Sequence, residues 1–497
     1  MEIKVFHIFE IKGRVSIPLQ LGLIAMVALS GGLFILRGPS ATWAAAAAIG
    51  GILLALGLAI RNMRRMLLAA LAFLLPFYLH KGLFVQEGRT GEILSLNVAA
   101  IDVLLLLLAF LWLAEMAVDK RCKVRACARI TVPAAIWFSM SALSIPKAVD
   151  LTLGLLQLTM MLKLLVLYLV VANQVRNASD TKAIVIALLG GLFLQSVLGL
   201  YQRWTGQPLG LWFLGETPQI RNFKLDLGLT PRPQGTIGHP NDYAMYLEML
   251  LPLALAMLFA GIKPRYKLLI GLTFCMGAVA LLFSLSRGGW LGFGLGIVVM
   301  LFLLTHRGVI RLRGGISPLI WVILLLMIGL AFSGLVSSRL RSSDRGAFKS
   351  RFTLMQGAIA MIEDHPLLGV GLNNYTLAGL RYYPEQVQEW GPGAAEVHNI
   401  FLLIAAEVGL VGAAAFLWSL VAFFKHGLEF VRRASMGLPW LIGSAILVGS
   451  SAALLHNQAD YALMANPQVA SLFWFMVGWL VAISGNAGDR TQPGESK

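Results

Sequence analysis

Charge is what this sequence is poorest in. Only 13% of its 497 residues are Asp, Glu, Lys or Arg, about half the share of an ordinary soluble domain. With 58% hydrophobic residues and a mean hydropathy of +0.77, the chain cannot cover its apolar surface with solvated side chains, and a membrane is the expected solvent. Acidic residues are scarcer than basic ones, 24 against 40, which leaves a net charge of +16. Cysteine is nearly absent. Cys122 and Cys127 share one short basic segment and Cys275 lies within an apolar run, so no pair is offered for an external disulfide and no four-ligand metal set exists. Apolar–polar alternation is missing too, which excludes a transmembrane β-barrel.

What is present is a succession of apolar runs long enough to cross about 30 Å of hydrocarbon. They lie near residues 17–36, 42–60, 66–79, 98–118, 130–145, 151–173, 183–204, 240–261, 267–285, 288–305, 317–333, 397–424, 438–455 and 468–483. The first is too long for a signal-peptide core and is read as a spanning helix. The runs predict an all-α, polytopic transmembrane bundle of about 12–14 helices. Lys and Arg in short loops stay in the cytoplasm. With the N-terminus inside, inner segments hold twenty-four Lys and Arg against five in the short outer loops. Both termini are therefore expected in the cytoplasm. The positive charge reads as membrane anchoring and not as nucleic-acid binding. Residues 1–204 read as an N-terminal transmembrane scaffold and 205–497 as a catalytic half carrying two long outer loops, 205–239 and 334–396. Lys163 is the exception in the scaffold, because an unpaired ammonium in mid-membrane costs about 2.5–3.5 kcal/mol. It is expected either to pair with Glu248 or Glu407, or to hold an anionic lipid headgroup.

The longest polar interruption, residues 351–409, reads as the working face. Phe352, Met355, Ile359 and Ile362 recur at helical spacing, as in a short helix lying in the membrane interface. Pro366 ends that helix, and His398 and Asn399 stand at the mouth of a new apolar run from Ile400 to Phe424. In the first outer loop Arg232 is fixed between Pro231 and Pro233, while His239-Pro240-Asn241 begins the next helix. That placement makes His239 and Asn241 caps more readily than chemical groups. Ser284-Leu285-Ser286-Arg287-Gly288-Gly289-Trp290 forms a tight turn whose arginine points either to the headgroup layer or into a cavity. Arg339, Arg341, Arg345, Lys349, Arg351 and Arg381 add an outer basic face that suits solvent or an anionic substrate. Gly369-Val370-Gly371 follows no strand and is no dinucleotide fingerprint. His456 to Asp460 is a further polar cluster, lining the same cavity or simply packing.

Three of these stretches together resemble the O-antigen ligase family and its relatives among bacterial polysaccharide polymerases. They are RPQGTIGHPN from Arg232 to Asn241, SRGGW from Ser286 to Trp290, and Arg351 to Gly409 with its DHPLLGVGLNNY centre and its EVHNIFL followed by AAEVG. The resemblance implies an integral-membrane glycosyltransferase of the GT-C type at the outer face of the bacterial inner membrane. It implies transfer of a glycan from undecaprenyl diphosphate without metal, nucleotide sugar or other cofactor. O-antigen ligase, with lipid A-core as acceptor, is the expected activity. Polymerisation of lipid-linked repeats, with a second lipid-linked glycan as acceptor, is the alternative. The diphosphate-binding arginines carry over onto Arg232, Arg287 and Arg351, and the long-loop histidine onto His398. His239, Asn241, Asn399, Lys163 and His456 are supporting candidates.

The chemistry is consistent with that resemblance. Without a metal, a leaving diphosphate is stabilised by guanidinium groups, which match phosphate oxygens in bidentate geometry. An imidazole beside arginines stays neutral and can serve as base, a contribution of roughly 10²–10⁴ in rate. A single displacement inverts the anomeric carbon. The competing role for His398 is a helix cap bonded through Asn399. A polysaccharide or lipid transporter is a further reading, but it would show related halves or broken helices, and no repeat is visible.

Overall fold

A computed structural model describes residues 63–85, 93–119, 124–225, 228–309, 333–341, 345–385, 387 and 396–488. The apolar runs expected near 17–36 and 42–60, and all but the last residue of 317–333, lie outside the described residues, as do Cys122 and the side chains of Arg341, Arg345 and Lys349. The described chain is helical apart from two short antiparallel hairpins. In order it runs α1 (Met63–Leu74), β1 (His80–Leu83), β2 (Leu96–Ala99), α2 (Ala100–Val118), α3 (Ala128–Ser144), α4 (Leu151–Gln174) and α5 (Ala178–Thr205). There follow β3 (Asn222–Leu225), β4 (Gly228–Pro231), α6 (Pro240–Leu258), α7 (Pro264–Phe283) and α8 (Arg287–His306). The last third holds α9 (Ser333–Arg341), α10 (Arg345–Asp364), α11 (Tyr375–Tyr382), α12 (Ile400–Arg433), α13 (Leu438–His456), α14 (Ala462–Ala465) and α15 (Pro467–Gly488). Among the described residues nine helices are long and apolar enough to cross a membrane: α2, α3, α4, α5, α7, α8, α12, α13 and α15.

Helix α6 is the axis of the C-terminal half. Every residue from Tyr243 to Leu258 is buried, because α13, α7 and α8 all pack on it. Helix α12 lies on α3, α15 on α4 and α5 on α1. Arg64 and Arg65 hold Asp180 at 2.9 and 3.0 Å at one end of this assembly. At the opposite end α5 and α7 finish, α6, α8 and α12 begin, and the polar loops collect.

Two expectations are corrected here. Lys163 reaches neither Glu248 nor Glu407. Its Nζ lies 2.6 Å from Asp102 Oδ2 and also donates to the Asn97 carbonyl. Asp102 sits in the first turn of α2 and accepts the Ala99 N–H at 2.8 Å as well, so the ammonium is neutralised by the neighbouring helix start. The run from Ile400 to Phe424 is likewise not one uninterrupted helix. At Gly409, with φ 81 and ψ 171, the backbone leaves helical geometry in a region that only glycine adopts without strain. The loop after α10 fills the break: Val370 N–H donates to Ala406 O at 2.8 Å, Gly371 N–H to Glu407 O at 3.0 Å, and Leu410 N–H to Pro366 O at 2.8 Å. A Cβ at Gly409 would lie 2.2 Å from Leu367 O. Irregular backbone within a membrane bundle is tolerated where protein satisfies it, which is the work of this loop. The loop also ties the two halves together, since Asn373 Nδ2 donates to Ile93 O and Leu153 O at 3.0 and 3.1 Å, and Asn374 Oδ1 accepts Asp150 N–H at 2.7 Å.

Candidate active site

The turn between α7 and α8 is the cornerstone of the polar end. Leu285 is fully buried at φ 57, a left-handed conformation that costs an L-residue about 1–2 kcal/mol. Phe223, Phe283 and Trp290 pack around it. Held this way, three consecutive residues present groups to distant partners. Ser284 O accepts from Arg232 Nε at 2.7 Å. Leu285 O accepts from Arg339 Nε at 3.1 Å, with the guanidinium carbon 4.0 Å from the Phe223 ring centre. Ser286 Oγ lies 3.0 Å from His456 Nε2. Arg287, next in the chain, opens α8 and is exposed.

From Arg232 a relay continues inward. Its Nη2 donates to Asn241 Oδ1 at 2.8 Å, and Asn241 Nδ2 donates to Asp460 Oδ2 at 2.9 Å. Asp460 is buried and accepts the Tyr461 N–H at 2.8 Å. Burial alone would raise its pKa; nearby His456, His398 and His239 and that backbone bond hold it below the ordinary carboxylate value. His239 caps α6, its Nδ1 accepting the Asn241 N–H at 3.2 Å. Burial, with Arg221 and Arg232 beside it and Asp460 opposing, lowers its pKa to about 4.

His398 stands just before α12. The cap of that helix is Asn399, whose Oδ1 accepts from Phe401 N and Leu402 N at 3.1 and 3.0 Å while Nδ2 donates to Gln458 O at 3.1 Å. His398 takes no part in the capping. Its Nδ1 is buried without a hydrogen-bond partner, and its ring lies 5.4 Å from that of Tyr461. Burial lowers the imidazole pKa below its ordinary value, Arg351 lowers it further, and Asp460 opposes them. Arg351 is half-buried on α10 and occurs at helical spacing with buried Leu354, Ala358 and Met361, whereas Phe352, Met355 and Ile359 on the other face are 55%, 40% and 46% exposed. Helical periodicity separates the two faces.

The structure thus gathers Arg232, His239, Asn241, Arg351, His398 and Asn399 with the 284–287 turn. His456 lies beneath that turn, against Glu248 of α6 at 3.0 Å. Lys163 belongs to a different place, between α2 and α4. The sequence places Asp460 in a polar cluster able to line the same cavity, Ser286 in the tight turn and Arg339 in the basic face, but offers Glu248 only as a partner for Lys163. The available signals were an acid within the apolar run MYLEMLL and a second acid closing the polar run after α13.

Fold and site together define a multi-pass helical membrane protein with guanidinium groups, imidazoles and the buried carboxylates of Asp460 and Glu248 collected at one end of the bundle. Residues 271–417 match the family model described as O-antigen ligase, which bears out the family resemblance over that stretch. The matched stretch runs from α7 into α12 and contains Arg287, Arg351, His398 and Gly409; Arg232, His239, Asn241 and Asp460 stand outside it. No curated protein matches the chain.

Proposed function

We propose that this protein is a membrane glycosyltransferase that moves a glycan from undecaprenyl diphosphate to an acceptor hydroxyl, with the site at the outer face of the bacterial inner membrane and both termini in the cytoplasm. The observation that carries the reading is His398: a buried imidazole with an unpartnered Nδ1, whose pKa burial and the Arg351 charge lower against the opposing pull of Asp460. His398 takes the proton of the acceptor hydroxyl. The acceptor oxygen attacks the anomeric carbon, the bond to the diphosphate breaks, and the configuration inverts. Arg232, Arg287 and Arg351 receive the charge of the leaving diphosphate, while Asp460 stabilises the imidazolium that forms. His239, Asn241 and Asn399 set the positions of these groups. Residues 205–497 would form the catalytic half and 1–204 its scaffold.

Ligation to lipid A-core is favoured over polymerisation of lipid-linked repeats, because Arg287, Arg351, His398 and the loop that fills the α12 break all fall within the matched O-antigen ligase stretch. The broken helix α12 also bears on the transporter reading. In a transporter a discontinuous helix offers its open backbone to substrate or ion; here the carbonyls of Ala406 and Glu407 are taken by Val370 and Gly371. Deleting the gene tests the choice. Loss of a ligase leaves long lipid-linked polymer accumulating and loss of a polymerase leaves single repeats; in a separate assay with lipid-linked glycan, absence of transfer by the purified protein would point to a transporter.

A further inference from the structure

We propose that Ser286, His456 and Glu248 form a positioning relay for the donor-binding turn, a buried hydrogen-bonded chain that fixes where the Ser284 carbonyl and Arg287 stand. What the turn binds rests on the glycosyltransferase reading; what holds the turn rests on geometry alone. Ser286 Oγ is 3.0 Å from His456 Nε2, and His456 Nδ1 is 3.0 Å from Glu248 Oε1. The three residues are 4%, 2% and 0% exposed, so they are placed to act on the turn and not on a substrate. Ser286 Oγ also accepts the Gly289 N–H at 3.4 Å as the cap of α8. Its own hydrogen is then free to go to His456 Nε2, and the Nδ1 hydrogen to Glu248.

The start of α8 is shaped for this chain. A Cβ on Gly288 would lie 2.4 Å from His456 Cδ2, and one on Gly292 would lie 2.8 Å from Glu248 Oε2. The helix therefore rests directly on the imidazole and carboxylate. Glu248 Oε2 has no hydrogen-bond partner, and a buried acid–histidine pair is commonly no more stable than apolar residues of the same volume. Such an arrangement is retained for what it specifies. Here it specifies the turn, whose Leu285 is strained and whose two carbonyls aim Arg232 and Arg339.

The test uses the full-length protein in detergent with an undecaprenyl-diphosphate-linked glycan as donor. Ser286→Ala should raise the donor KM about tenfold, the weight of one buried hydrogen bond, and leave the acceptor KM in place. Ser286→Thr should restore most of the affinity. Glu248→Leu should act in the same sense, and the double variant should be no worse than the poorer single, as for members of one chain. An unchanged donor KM in Ser286→Ala, additive losses, or an effect confined to the acceptor KM would overturn the relay. If Glu248→Leu does not fold, the Ser286 pair decides. If the wild-type protein transfers nothing, the glycosyltransferase reading falls, and amide hydrogen exchange across residues 285–290 judges the relay separately: faster exchange in Ser286→Ala supports it and unchanged exchange sinks it.

Discussion

Two histidine-bearing regions lie at the same end of the bundle, and they use their hydrogen-bonding groups in opposite ways. Around His456 both ring nitrogens are engaged, one by Ser286 and one by Glu248, and glycines on α8 close the space around the ring. Around His398 the helix cap is supplied by Asn399, the nearest ring is Tyr461, and Nδ1 is left without a partner. Buried polar atoms are nearly always satisfied, so an unsatisfied imidazole beside guanidinium groups marks a place where a proton can go. A saturated imidazole holds structure. Residue type is the same in both regions, and the neighbours assign the role.

The largest effect should come from breaking that contrast at its reactive side. His398→Ala is expected to lower kcat by about 10²–10⁴ while the lipid-linked donor still binds; full turnover by this variant would refute the base. The pH profile adds a signed test. Burial and Arg351 hold the His398 pKa below 6.5, so the neutral, competent form persists as pH falls through 6.5 and the rate declines only when pH passes the lowered value. Arg351→Ala removes one of the two depressing causes and should move the acid limb of kcat toward higher pH. A limb that stays put would detach Arg351 from His398.

Next in size is loss of a donor contact. Arg232→Ala removes a charge-assisted partner worth about 1.5–3 kcal/mol, which should weaken donor binding by about 10- to 150-fold in a direct assay with the undecaprenyl-diphosphate-linked glycan. Lys should rescue only in part, since an ammonium cannot span Ser284 O and Asn241 Oδ1 together as the fork does. Complete rescue by Lys would mean that Arg232 acts as a point charge.

Much of this was legible in the chain. His-Asn before an apolar run is a cap signature, and Asn399 caps as such a residue should; Phe352, Met355 and Ile359 recur at helical spacing and are indeed the exposed face of α10. What escaped was which distant partner each residue meets. Glu407 and Gly409 within the apolar run do not by themselves mark a break, which shows only once the loop carrying Val370 and Gly371 is seen to satisfy the carbonyls of Ala406 and Glu407. Asp460 follows α13 by a few residues and looks like loop; its value depends on Asn241, 219 positions away in sequence. Lys163 had to pair with something, but hydropathy could not choose Asp102 over the two glutamates, because that choice is made by which helices pack.

The smallest effect belongs to that last pair, which completes the comparison from the structural side. Lys163 and Asp102 are 31% and 13% exposed in their side chains, far wetter than Glu248 and His456 at 0% and 2%, so solvent screens much of their attraction. Lys163→Met removes the ammonium from Asp102 and from the Asn97 carbonyl, yet leaves Asp102 with the Ala99 N–H. The expected loss is about 1 kcal/mol of stability, read as a small drop in Tm, with transfer per folded molecule unchanged. Asp102→Leu should be worse, because it abandons both Lys163 and the start of α2. If Lys163→Met instead lowered donor binding at constant Tm, the lysine would belong to the substrate path, and the boundary drawn here between scaffold and site would have to move into α4.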